Sequence, residues 1–195
     1  DPGGTPPKIA VKSRIRAYPA DGGGQNDAAQ LSAQLEEKMR ENGMKLFSLE
    51  TKTDVCDFDI VGFTLMYELS YSNVINMLDL AGIPLTSAAR GEGMPFVCAG
   101  GACAYNPEPL AEIIDFFIMG EGEEVMGELM VAYRDWKKSG APREAYLEAI
   151  CDIEGIYVPA FYEVEYNEDG TIQSFAPIRA CAKKKIRKRI VRDFT

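Results

Sequence analysis

The chain has 195 residues, 46% hydrophobic and 26% charged, the composition of one soluble-type globular domain with a small appendage. No apolar run approaches the roughly 20 residues that span a bilayer and no segment has a signal-peptide layout, so no membrane partner and a cytoplasmic location are expected. The net charge of −9 is uneven: eight basic and no acidic residues between 179 and 192 leave −17 on the rest. Such a body repels nucleic acid over most of its surface, and only the tail is open to RNA or a partner.

Residues 1–26 read as a disordered or atypical lead. "DPGGTPP" is unstructured, "KIAVKSRIRAYP" alternates at Ile9, Val11 and Ile15 as a strand does, and "ADGGGQN" is a flexible loop. The second unit, residues 27–154, begins with a helix. Asp27 suits its N-cap, Leu31, Leu35 and Met39 form its apolar stripe, and Gly43 closes it. "MKLFSLE" reads as a short strand and "DFDIVGFTL" as a central one, apolar enough to be buried on both faces. "YSNVINMLDLAG" is a helix ended by Gly82 and Pro84, followed by the strand "PFVCAGG". "NPEPLAEII" starts a helix with Asn106 as cap and Pro107 in first position. "DFFIMGE" is another strand, and "GEEVMGELMVAYRDWKKSG" and "PREAYLEAICDI" are helices. Residues 155–178 alternate around "NEDG", where Asp169-Gly170 signals a β-hairpin extension. Residues 179–195 are a basic linker.

Strands alternating with helices imply an α/β fold, a parallel sheet with helices on both faces and right-handed connections. Ligands of such sheets lie beyond the carboxyl ends of the strands. That rule gathers residues 64–70, 100–106 and 120–124 along one edge. Gly100 and Gly101 permit positive φ and close approach to a ligand, or serve only as a strand-to-helix turn. In "GEGEE" the glutamates complement a helix dipole and repel phosphate. In "TLMYELSYSN", Tyr67, Glu68, Tyr71 and Asn73 are loop polar groups, with capping by Ser70 or Ser72 as the alternative. The dinucleotide fingerprint and the phosphate loop are absent.

Five cysteines, at 56, 98, 103, 151 and 181, are odd in number and scattered, which favours reduced thiols. Cys98 and Cys103 flank the glycine pair, either as a metal pair or as buried structural thiols. The absence of histidine excludes a histidine base, a histidine-dependent triad and a histidine metal ligand within this chain.

"FDIVGFTLMYELSYSNVINMLDLAGIPL", "PFVCAGGACAYNPEPLAEIIDFFIMGEGEE" and "KKKIRKRIVRDFT" resemble the N-terminal part of cobalamin-domain radical SAM proteins, from about residue 36 to 195. The resemblance implies a flavodoxin-like, cobalamin-binding-domain-like sheet that precedes a radical SAM barrel. It implies that the chain is an accessory fragment of an enzyme, not catalytic alone, with its own barrel as partner. Gly100 and Gly101 then lie beside the cobalamin nucleotide tail, and Thr64 and Leu65 form the second cofactor loop. Tyr67, Glu68, Gly120 and Glu121 complete the cofactor edge. The C-x-x-x-C-x-x-C signature is absent from this chain, so S-adenosylmethionine and a four-iron four-sulfur cluster are expected only in the barrel. Residues 1 to about 35 depart from the family pattern, as does the missing D-x-H-x-x-G motif. The alternative function is a non-catalytic module that docks a partner or RNA through its basic tail.

Overall fold

The structure is a computed structural model that describes residues 8–12 and 25–191. At its centre is a five-stranded sheet in the order β1 (Ile9–Lys12), β2 (Ile60–Thr64), β3 (Phe96–Gly100), β4 (Phe116–Ile118), β5 (Ile156–Tyr157). β1 to β4 run parallel, and β5 is an antiparallel edge strand on β4. Four α-helices accompany it among the described residues: α1 (Gln25–Glu41), α2 (Tyr71–Ala81), α3 (Glu123–Ser139) and α4 (Arg143–Cys151). The expected α/β, flavodoxin-like class is the one observed. No helix among the described residues is long and apolar enough to cross a membrane.

Successive strand residues point to opposite faces, and the apolar runs of β2, β3 and β4 therefore feed two separate cores. Val61, Phe63, Val97, Ala99 and Phe117 pack with Met39 of α1 and with Val74, Met77 and Leu78 of α2. Ile60, Phe96, Cys98, Phe116 and Ile118 pack with Leu129 and Tyr133 of α3 and with Tyr146 and Ile150 of α4. Phe96, Tyr133, Trp136 and Tyr146 make an aromatic cluster in the second core, Phe96 and Tyr146 having centroids 4.5 Å apart.

Several local expectations are corrected. Residues 44–50 do not form a sheet strand; Phe47 makes one antiparallel bridge to Asp54. The Leu46 N–H donates to the Leu80 carbonyl and its C=O accepts from Val55. Its backbone is thus satisfied away from the sheet, and β1 pairs directly with β2. α1 starts at Gln25, which makes Asp27 its third residue rather than its cap. Met39 is buried but Leu35 is half exposed, so among the described side chains only the far end of the helix covers the sheet. The α1 stop is as expected: Gly43 has φ +63°, and the Met44→Met39 and Gly43→Arg40 hydrogen bonds complete a Schellman motif. Ile15, the lead at 1–7, most of the loop at 20–26 and the Leu31 side chain lie outside the described residues.

"NPEPLAEII" gives one short 3-10 turn, at residues 108–110, after another at 102–105, rather than a helix capped by Asn106. The chain must be extended again by Asp115, whose N–H donates to the Val97 carbonyl. Seven residues remain between Pro107 and Asp115, and Pro109 removes one donor from them. The hairpin is present as β6 (Tyr162–Tyr166) and β7 (Ile172–Pro177), with Gly170 at φ +82°. Ile156 and Tyr157, grouped with it by sequence, belong to the central sheet.

Asp59 ties the start of β2 to α3. Its carboxylate accepts from the Lys8 N–H (2.8 Å), the Tyr133 hydroxyl (2.6 Å) and the Lys137 ammonium (3.1 Å). Burial pushes its pKa up, but these donors outweigh burial and hold it below the usual value. A depressed folded-state pKa gives stability that is present above about pH 4 and lost as pH falls through the folded value. Asp59→Asn should therefore flatten the loss of stability below pH 4, measured as urea midpoints across an acid series. An unchanged pH profile would show that the three contacts contribute nothing.

Candidate functional site

Three strands end on the same edge. β2 ends on Thr64, half-buried, followed by Leu65, which is buried, then Met66, Tyr67, Glu68 and Leu69, all exposed. Ser70 does not cap α2 through its side chain; its hydroxyl donates back to the Tyr67 carbonyl (2.7 Å).

The glycine turn after β3 is joined to this loop by backbone bonds. The Leu65 N–H donates to the Gly100 carbonyl (2.7 Å), and the Cys103 N–H donates to the Leu65 carbonyl (2.9 Å). Gly101 has φ +98°, and a Cβ there would lie 2.8 Å from the Leu65 carbonyl oxygen. The close approach that the glycine signals is thus made by another loop of the same chain. Cys98 is buried in β3, and burial pushes its thiol up to about 12. Cys103 sits beyond the turn; desolvation and then the Glu68 carboxylate raise its pKa. Nearby Tyr71 is raised by burial and by the same two neighbours, so its hydroxyl stays neutral, and that oxygen is buried with no hydrogen-bond partner. Among the described residues, no three His, Cys, Asp or Glu side chains are placed to hold a metal ion.

The third turn holds the tail. Gly120, at φ +108°, forms a parallel bridge with Arg189, and a Cβ on it would collide with the Arg189 backbone. The Arg189 N–H donates to the Met119 carbonyl (2.8 Å), and the Glu121 N–H donates to the Arg189 carbonyl (3.1 Å). The Val191 N–H donates to the Glu121 carboxylate. The Arg189 guanidinium spans Glu124 and Glu128, each at 2.7 Å. Farther back, Lys183 pairs with Asp152 (3.0 Å) and Arg179 with Glu144. Glu123 and Glu124 also lie in the first turn of α3, where they complement its dipole.

The structure therefore brings Thr64, Leu65, Tyr67, Glu68, Gly100 and Gly101 together in two joined loops, with Gly120 and Glu121 under the tail. The opposite charges of tail and body favour this contact, but nothing in the sequence singled out Arg189 or its partners.

A mostly parallel sheet flanked by helices on both faces, with its loops converging on the carboxyl edge, defines an α/β domain with its strands in sequential order. Residues 29–159 match the family model described as radical SAM proteins, N-terminal, and the chain belongs to that family. No curated protein and no solved structure matches the chain.

Proposed function

We propose that this chain is the accessory domain of a radical SAM enzyme, that its carboxyl edge faces the catalytic barrel, and that cobalamin lies on that edge. The observation that carries the reading is the return of the tail: residues 189–191 bond to Met119 and Glu121, so the described chain ends at the edge that bears the other two loops. A domain placed after it would begin on the same edge of the sheet as residues 64–68.

The residues of this edge fit the cofactor in part. Met66 and Leu69 are exposed beside Tyr67 and Glu68 in the chain and offer apolar surface, Tyr105 is exposed in the turn after Gly101, and Tyr71, which follows the 64–70 loop, holds an unpartnered hydroxyl. A broad corrin ring with an amide rim suits such a surface. Thr64, Tyr67 and Glu68 would hold that rim, and Leu65, buried with its backbone bonded to Gly100 and Cys103, would support the loop that carries them. Gly100, Gly101, Gly120 and Glu121 would act through the backbone shape they permit, since each already meets another part of the chain. Without histidine, this chain supplies no imidazole to cobalt. When bound, cobalamin would supply an alkylcobalt centre; the protein's share is to bind and orient it. S-adenosylmethionine and the iron–sulfur cluster belong to the barrel in this reading. Docking of RNA through the tail has less support, because Arg179, Lys183 and Arg189 already face carboxylates of the body.

Addition of hydroxocobalamin should shift its visible bands, and the colour should stay with the protein through desalting. Loss of all colour without a band shift would overturn the cofactor and leave the accessory-domain reading standing.

A further inference from the structure

The connection between β3 and β4 contains 3-10 turns where an α/β unit normally places a helix. The first-core side of β4 and β5 is covered instead by those turns and by the β6–β7 hairpin, which does not fill the space. A groove of about 600 Å³ remains between the hairpin and residues 86–88 and 108–112.

Its aromatic wall is fixed. Tyr157 is buried, and its hydroxyl donates to Glu108 (2.5 Å). Tyr162 lies 4.9 Å from Tyr157, donates its hydroxyl to the Lys183 carbonyl, and stacks on Phe175 at 5.2 Å and 6°. Phe175 and Tyr166 are 46% and 63% exposed, so ring surface remains open to a ligand. Glu108 and Glu112 line the facing wall, and no basic residue lines the groove among the described residues.

We propose that this groove binds an organic cation with a flat apolar body. Aromatic faces carry the negative part of the ring quadrupole and attract cations. The two carboxylates reinforce that sign and repel anions. The volume falls in the range of small-molecule sites, about 300–1,000 Å³. The groove shares no residue with the 64–68 loop, so this site stands or falls apart from cobalamin binding.

The probes are benzylammonium, benzyl alcohol and benzoate, similar in size and different in charge, titrated into the whole chain with amide NMR as readout. Benzylammonium should shift the amides of residues 86–88, 108–112 and 162–166 saturably. Benzyl alcohol should bind about two- to fivefold more weakly, the size of an exposed cation–aromatic contact, and benzoate should not saturate. Glu112→Gln should weaken the ammonium by a similar factor and leave the alcohol unchanged; Phe175→Ala should weaken both. Both positions are exposed, and unchanged shifts elsewhere confirm the fold. Equal affinity for all three probes, or no saturable shift with the ammonium, overturns the proposal.

Discussion

Asp115→Ala should lower folding stability by about 3–5 kcal/mol, the range for removing one partner of a buried charge pair. Asp115 precedes β4 and its side chain is 2% exposed. One oxygen, Oδ2, accepts from the Val97 N–H (2.7 Å) and pairs with Arg143 (3.0 Å) and Arg90 (3.2 Å). Arg90 is fully buried, and its other nitrogens reach the carbonyls of Pro84, Leu85 and Ile113. Arg143 reaches the carbonyls of Met94 and Pro95 and lies 3.8 Å over the Phe96 ring. The carboxylate thus fastens the starts of β3 and β4 to α4, at the amino end of the sheet, opposite the candidate site. Without it the Arg90 charge is buried and uncompensated, a far larger loss than that of an exposed pair. Asp115→Asn keeps an acceptor for Val97 and should fall between. Urea midpoints at pH 7 measure both. A loss below about 1 kcal/mol for the alanine variant, under the range for buried pairs, would contradict this account of the node.

Gly120→Val should release the tail and leave the core folded. The glycine has φ +108°, which L residues rarely adopt, and any Cβ meets the Arg189 backbone rather than a side chain that can swing aside. The ion pairs of the tail cannot offset that clash, since exposed pairs contribute about 0–1 kcal/mol each. Trypsin should cut between Lys183 and Arg192 about tenfold faster in the variant, corresponding to roughly 1.4 kcal/mol of easier opening. In the parent, cleavage should be slow at low salt and faster at high salt, because Arg179, Lys183 and their partners are exposed and screened. Equal cleavage of parent and variant would show that Gly120 does not hold the tail.

How much of this was legible depended on where each residue's partner lay. β2 and β3 were readable because a strand buried on both faces leaves an apolar run, and the hairpin because Asp169-Gly170 marks its turn. Residues 44–50 have the same apolar look, but their hydrogen bonds go to Leu80 and Val55, which only the packed chain brings near. Gly101 and Gly120 announced close approach by something. The sequence does not say that Leu65 and Arg189 make it, because glycine records the space and not its occupant. Arg90, Asp115 and Arg143 are separated by 25 and 28 positions, and topology alone makes them neighbours. The alternating pattern and the charge balance were local or additive signals; these contacts are neither.

The chain's own tail fills the turn after β4 and brings residues 189–191 to the carboxyl edge. Amide hydrogen exchange at Glu121 and Arg189 tests it most directly, because each N–H is donated across that contact. Both amides should exchange far more slowly than in an unstructured peptide, and Glu121 should lose its protection in Gly120→Val. Exchange of Arg189 at the unstructured rate, with Glu121 unaffected by the substitution, would contradict the claim.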